Sequence, residues 1–271
     1  MLSPSTSSAS SVFIPSIYSL GSFCIILFGY ILQSTFLQYY FYYHKASNLH
    51  TWKIRTDKKE SCIKEVAKRW WLPSLMSSYK KPGREKHNPW FAPINLLVAS
   101  LFAFGITEAT MRGMTRLRFE ALYKNNEIQV YICVQVVRDL LLAVIWQSVL
   151  EYYWHRLMHT KYCYKMMHKY HHANKSPEPF DDMYIHPLEA FGYYCILYSY
   201  PVVFECHFNA FVTYMIIMGL CGVLDHSGIR MCIPYLYDTR DHDLHHERFD
   251  VNYAFPFPYM DILHNTWEVK T

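Results

Sequence analysis

The sequence predicts an all-α integral membrane protein: about four transmembrane helices capped by a cytosolic helical domain that holds metal on boxes of histidines. Three observations predict it. Long uncharged apolar segments recur along the 271 residues. Hydrophobic residues make up 52% of the chain, yet mean hydropathy is near zero, as expected when membrane spans alternate with a strongly polar remainder. The 15 histidines crowd into short runs just beyond those segments.

Residues 1–16 are uncharged and Ser-rich and read as a disordered tail. No basic region precedes the next apolar stretch and no small-residue cleavage site follows it, so Ile17 to Tyr43 reads as a signal-anchor span. The loop 44–89 holds 12 of the 26 Lys and Arg residues, and the positive-inside rule assigns it to the cytosol. Within it, Ser61–Leu72, with Trp70 and Trp71, fits an interfacial amphipathic helix or a solvated basic linker equally well.

Two further apolar segments cover Phe91–Thr107 and Ile128–Trp154, the second carrying Arg138 and Asp139, which either pair or sit at the interface. Their connection holds Arg112, Arg116, Arg118 and Lys124, more basic than the rule favours on the lumenal side. Leu188–Phe204 and Phe208–Leu224, separated by Pro201 and Glu205-Cys206-His207, read as a membrane hairpin within 188–224 that dips in and returns. That return brings the chain back to one side, so all the histidine boxes face the cytosol. The organisation predicted is a tail (1–16), N-terminal membrane helices (17–150) and a metal domain (151–266) that includes the hairpin.

The boxes are HRLMH, with His155 and His159; HKYHH, with His168, His171 and His172; and HDLHH, with His242, His245 and His246. On a helix, spacings of i, i+3 and i+4 put imidazoles on one face, and the clusters read as two halves of one metal site. Unligated, so many imidazoles would need many partners and would repel one another when protonated. Eight are too many for one ion and suit two. Imidazole suits iron, copper, zinc or nickel, and the HExxH of zinc hydrolases is absent. His226, in DHSG, stands evenly between ligand and structural residue; His186, in HPLE, reads as an orienting or structural residue, and His207 and His264 as structural. Glu189, Asp225, Asp241 and Asp243 are candidates to orient ligand imidazoles.

Other chemistries find no support. The eight cysteines are scattered without a CxxC pair, and basic residues are not interleaved with aromatics as nucleic-acid binding would require. No Gly-rich dinucleotide fingerprint follows a strand and no haem-thiolate pattern surrounds a cysteine. A chemistry that needs electrons would have to take them from a separate carrier, for which the basic loop with Arg156, Lys161, Lys165 and Lys169 offers a cationic face; anionic lipid headgroups explain the same charges.

The ordered boxes HRLMH, HKYHH, HPLE, DHSG and HDLHH, followed by NYAFPFPYMDILHNT, resemble the fatty acid hydroxylase superfamily of membrane non-haem di-iron enzymes over Glu151 to Thr266. That group includes sterol C4-methyl oxidases, sterol C5-desaturases, cholesterol 25-hydroxylase and sphinganine hydroxylases. The resemblance implies a multi-pass endoplasmic reticulum enzyme with two iron ions and dioxygen as co-substrate, its electrons passed from NAD(P)H through a reductase and cytochrome b5. By motif position it implies metal ligation by His155, His159, His168, His171, His172, His242, His245 and His246, with His226 at a further ligand position. Two departures stand out: Asp261 is followed by His264-Asn265-Thr266 where the family usually has Phe- or Leu-Gly-Thr, and Ser176 to Met183 lacks the Thr-Ala-Pro common in C4-methyl oxidases. The function expected is hydroxylation of a C–H bond in a sterol, acyl or sphingoid lipid. Desaturation at the same site is the alternative, and a non-enzymatic metal-binding membrane protein a remote third.

Overall fold

The structure, a computed structural model, describes residues 14–55, 88–119 and 126–269. The expected tail up to residue 13 and the segment Ser61–Leu72 lie outside the described residues. Helix α1, Ile17–Leu37, starts where the Ser16 hydroxyl accepts the Tyr18 N–H at 3.2 Å, and it continues as a π-helical stretch, Gln38–His44. No charged side chain interrupts these 28 residues, so the whole stretch can lie in hydrocarbon. Helix α2, Phe91–Met111, packs antiparallel along it. The far ends of the two are tied by Glu108, whose carboxylate accepts the Ser16 N–H at 2.9 Å, the Ser19 hydroxyl at 2.8 Å and the Arg112 guanidinium at 2.8 Å.

Helix α3, Asn126–Met158, returns toward the histidine end. After it come the short α4, Lys161–Met166, then α5, Pro187–Leu197, and α6, Phe208–Asp225. Helices α7, Thr239–Arg248, and α8, Tyr259–His264, complete the chain. Four of the described helical stretches are long and apolar enough to cross a membrane: Ile17–His44, Phe91–Met111, Val130–Met158 and Phe208–Asp225. The fold is thus the mostly helical membrane architecture that the apolar pattern predicts.

The hairpin is deeper than a dip. Strand β1, Leu117–Arg118, just beyond α2, pairs in parallel with β2, Cys206–His207, which places the hairpin's turn at the end of the bundle opposite the histidines. Its first limb is not one helix: α5 stops at Leu197 and a separate turn, Tyr200–Val203, has Pro201 as its second residue, with no N–H to continue the ladder. Two arginines of the basic connection after α2 are paired on the spot. Arg112 pairs with Glu108, while Arg118 and Arg138 both bind the buried Asp139, at 2.9 and 2.7 Å, and Asp139 also accepts the His207 N–H at 2.8 Å. Lys124 lies outside the described residues. A small antiparallel pair, β3 (Cys232–Ile233) and β4 (Tyr237–Asp238), leads into α7.

Helices α3 and α5 cross closely because Gly192 has no side chain: a Cβ there would overlap the Trp154 indole. Gly192→Ala is expected to destabilise the fold by about 1–3 kcal/mol, as overpacking does, measured as a lowered thermal midpoint in detergent.

Candidate metal centre

The stretch from His155 to His172 is not one continuous helix. His155 sits in the last turn of α3, His159 follows its end, and His168, His171 and His172 lie on a separate 3-10 turn, His168–Ala173. The third box occupies α7, which Asp238 caps by accepting the Arg240 N–H at 2.9 Å, and His226 immediately follows α6.

These elements gather nine imidazoles into two adjoining groups, not one. His155, His159, His168, His172 and His245 form the first; His171, His226, His242 and His246 form the second. Each HxxHH box is divided. Its i and i+4 residues serve one group and its i+3 residue the other, because a residue three positions along points to the neighbouring flank of the turn. The groups abut, with the His172 and His246 ring centroids 4.7 Å apart.

The donor atoms show what the groups can hold. His155 Nδ1 meets the Tyr253 carbonyl at 2.7 Å, and His245 Nδ1 the Val251 carbonyl at 2.6 Å. His168 Nδ1 meets the Glu189 carboxylate at 2.5 Å, and His226 Nδ1 meets the Gly222 carbonyl at 2.9 Å and Asp182 at 3.1 Å. Carbonyls and carboxylates accept, so these Nδ1 atoms donate and the Nε2 atoms are left with lone pairs. The lone pairs of His168, His245 and His226 face the Nε2 atoms of further histidines, at 2.9 Å for His168 and His159, 3.1 Å for His245 and His159, 3.2 Å for His245 and His172 and 2.8 Å for His226 and His242, and the Nε2 atoms of His242 and His246 are 3.0 Å apart. The buried Nε2 of His155 has no hydrogen-bond partner. So many imidazole nitrogens converging in a buried pocket are the donor set of a cation, which can accept every inward lone pair at once. Metal–imidazole bonds of about 2.0–2.1 Å put neighbouring ligand nitrogens about 2.9 Å apart at right angles, close to the spacings seen. The residues therefore fit two metal ions, with donors that are all imidazole nitrogen.

Electrostatics keep most of these ligands neutral. His171, His172, His242, His245 and His246 are held well below the ordinary imidazole range by burial and by one another. His226 differs. Burial alone would depress it, but the hydrogen bond and charge of Asp182 override that and raise it.

Of the carboxylates predicted to orient ligands, Glu189 contacts His168. The hydrogen bonds of Asp225 and Asp241 run elsewhere, correcting that expectation: Asp225 accepts the Tyr237 hydroxyl at 2.7 Å and Asp241 the Trp267 N–H at 3.2 Å. Asp243 instead receives Arg55 at 2.9 Å, tying the segment after α1 to α7. His186 and His207 cap α5 and α6, accepting the Leu188 and Asn209 N–H groups, and His264 bonds Met260 and Tyr153, so these three lie outside both groups. Asp182, which sequence reasoning passed over, lies in the acidic Asp181-Asp182 pair after the second box; that pair is the only signal it offers.

The C-terminal departure is accommodated. Asn265 adopts a left-handed conformation, φ 56°, that glycine favours and asparagine tolerates, and Thr266 still donates to Asp261 at 2.7 Å. Asp261 also accepts the Tyr253 and Ala254 N–H groups, at 2.9 and 2.7 Å, which fixes the carbonyl that orients His155. Gly228, φ 68°, lets the loop after His226 press against Pro177, whose carbonyl oxygen would lie 2.7 Å from any added Cβ.

Residues 140–266 match the family model described as Fatty acid hydroxylase. The chain carries a fatty acid hydroxylase domain. It is 33% identical over 119 residues to a Delta(7)-sterol 5(6)-desaturase of Gibberella zeae, covering 43% of this chain and 34% of that one. To human lathosterol oxidase it is 27% identical over 177 residues, 64% of this chain and 55% of the other. To chicken methylsterol monooxygenase 1 it is 34% identical over 131 residues, 46% and 44%. The chain thus spans between about a third and just over half of these relatives' lengths. No solved structure matches. The resemblance read from the histidine boxes is borne out at the level of this superfamily.

Two outcomes follow. Asp182→Asn removes the charge that orients His226 and is expected to weaken metal affinity about 10–100-fold, read by chelator competition. Because the folded imidazoles bind protons less readily than unfolded ones, stability is complete above the ordinary imidazole pKa of about 6.5 and declines as pH falls below it. Thermal midpoints of metal-free protein between pH 8 and 5 check this.

Proposed function

We propose that the chain is a membrane di-iron oxygenase that oxidises a C–H bond of a sterol or an acyl or sphingoid lipid, with dioxygen and externally supplied electrons. The observation that carries the reading is a cavity of about 1420 Å³ between α1, α2, α3, α5 and α6. It begins among Ile17, Phe119 and Phe208 and ends at His155, His168, His171, His226 and His242. Along α1 its wall runs from Ile17 to Gln33, about 24 Å at 1.5 Å per residue, most of the roughly 30 Å hydrocarbon thickness of a bilayer. An apolar channel of that length, closed by imidazoles at one end, suits a lipid whose reacting carbon meets the metal groups while its tail stays out of water.

His155, His159, His168, His172 and His245 would hold one iron, and His171, His226, His242 and His246 the other. Together the ions would supply oxidising power sufficient for an unactivated C–H bond. The chain's own part is to orient the imidazoles through Glu189, Asp182 and the Tyr253 and Val251 carbonyls, and to exclude water with the aromatic walls. In this reading the protein is multi-pass in the endoplasmic reticulum, its metal groups face the cytosol, and cytochrome b5 with an NAD(P)H-dependent reductase supplies electrons. The similarity to a sterol desaturase as well as a sterol monooxygenase keeps desaturation as the second outcome at the same site.

Metal content and lipid products measured on one purified sample, beside His171→Ala, test the proposal. Expected are about two irons per chain, a product heavier by one oxygen, and loss of that product with part or all of the iron in the variant. A product lighter by two hydrogens selects desaturation. A metal-poor wild type whose behaviour the variant shares overturns the reading.

A further inference from the structure

Residues 42–55, which follow α1, lie outside the stretch 140–266 that matches the family model, yet they run across the elements that carry the second histidine group. The first contacts close on the loop after His226. Tyr42, fully buried, donates its hydroxyl to the Ser227 carbonyl at 2.5 Å and accepts from Lys53 Nζ at 2.8 Å. Beyond Trp52 the backbone pairs with the same loop as a short antiparallel bridge: the Ile54 N–H donates to the Gly228 carbonyl at 3.1 Å, and the Arg230 N–H to the Trp52 carbonyl at 2.6 Å. The approach is so close that a Cβ on Gly228 would overlap Lys53 Nζ.

Arg55 then grips α7. Its Nε donates to both carboxylate oxygens of the buried Asp243, at 2.9 and 3.1 Å, and its Nη2 to the Asp243 carbonyl and the Glu247 carboxylate, each at 3.1 Å. Asp243 and Glu247 stand one turn apart, and each directly follows a ligand of the second group, His242 and His246. A planar guanidinium bound at several points fixes the rotation of α7 about its axis, and so the direction in which these two imidazoles point. The two histidine groups share this strap unequally. Three of the second group's four imidazoles, His226, His242 and His246, adjoin residues that it holds. Of the first group only His245 stands on α7, and the Val251 carbonyl fixes its Nδ1; His155, His159, His168 and His172 come from α3 and the segment between α3 and α5.

We propose that Tyr42 and Arg55 are positioning residues for the second metal ion: they lock the loop after His226 to α7, so that His226, His242 and His246 converge, while the first ion is held without them. The proposal rests on the reading of the histidine groups as a two-ion site.

The test is chelator competition against the full-length, iron(II)-loaded protein in detergent, kept anaerobic, with native mass spectrometry counting the ions each chain retains. Wild type is expected to release two ions. In Arg55→Ala, and in Tyr42→Phe, one of them is expected to leave at about tenfold less chelator, the low end of what losing an orienting partner costs, and the other at the wild-type concentration. Arg55→Lys, which keeps the charge but not the fork, is expected to restore only part of the loss. In a His246→Ala background the more tightly held ion, that of the first group, is expected to be unmoved by Arg55→Ala. Both ions loosening together, or neither, in Arg55→Ala or Tyr42→Phe overturns the proposal, as does loosening of the ion that His246→Ala retains. Gly192→Ala disturbs a helix crossing away from the strap; the same one-ion loss there overturns the proposal too, because general destabilisation would then suffice. Tyr42→Phe decides if Arg55→Ala fails to fold. A wild type that holds fewer than two ions overturns the two-ion reading and the proposal with it, whereas two ions without a selective loss sink the proposal alone.

Discussion

Imidazole lone pairs directed at one another inside a buried pocket are the constraint on which the rest of this molecule depends. Neutral histidines left to themselves would rotate to donate and accept in turn. Here backbone carbonyls and two carboxylates accept hydrogen bonds from Nδ1 of His155, His168, His226 and His245 and turn the Nε2 lone pairs of these four inward. That geometry suits a cation at the centre of each group.

Holding it requires the chain to converge from every direction. The end of α3, the 3-10 turn, the start of the loop after α6 and one face of α7 each contribute imidazoles. The orienting groups come from still other places: Glu189 from α5, Asp182 from the turn before it, and Tyr253 from a loop pinned by Asp261. At the opposite end of the bundle Asp139 performs a parallel task, collecting two guanidiniums and a backbone N–H so that the hairpin's turn and the connection after α2 close over an apolar interior. The cavity between these polar ends remains apolar apart from a few placed groups.

Much of this was legible in the residues. The apolar segments and histidine spacings are local patterns, so the long apolar spans and the histidines that cluster could be read off directly. Asn265 looked like a departure, and its left-handed backbone shows why it is tolerated. Less was legible where contact depends on folding. Asp182 carries no motif, backbone carbonyls carry no side-chain signature at all, and Asp225 and Asp241 sit beside ligands in sequence while their hydrogen bonds are made elsewhere. The hairpin's depth was hidden too, because Pro201 breaks its first limb into pieces shorter than a span.

By itself the sequence determined a helical membrane protein whose histidines gather at one side, since hydropathy and spacing along a helix are set by adjacent residues. Only the tertiary structure decided that each HxxHH box is shared between two groups, which group each imidazole joins, and that an apolar cavity leads to them. Those outcomes depend on the relative placement of elements far apart in the chain, and packing of the membrane helices is what sets that placement.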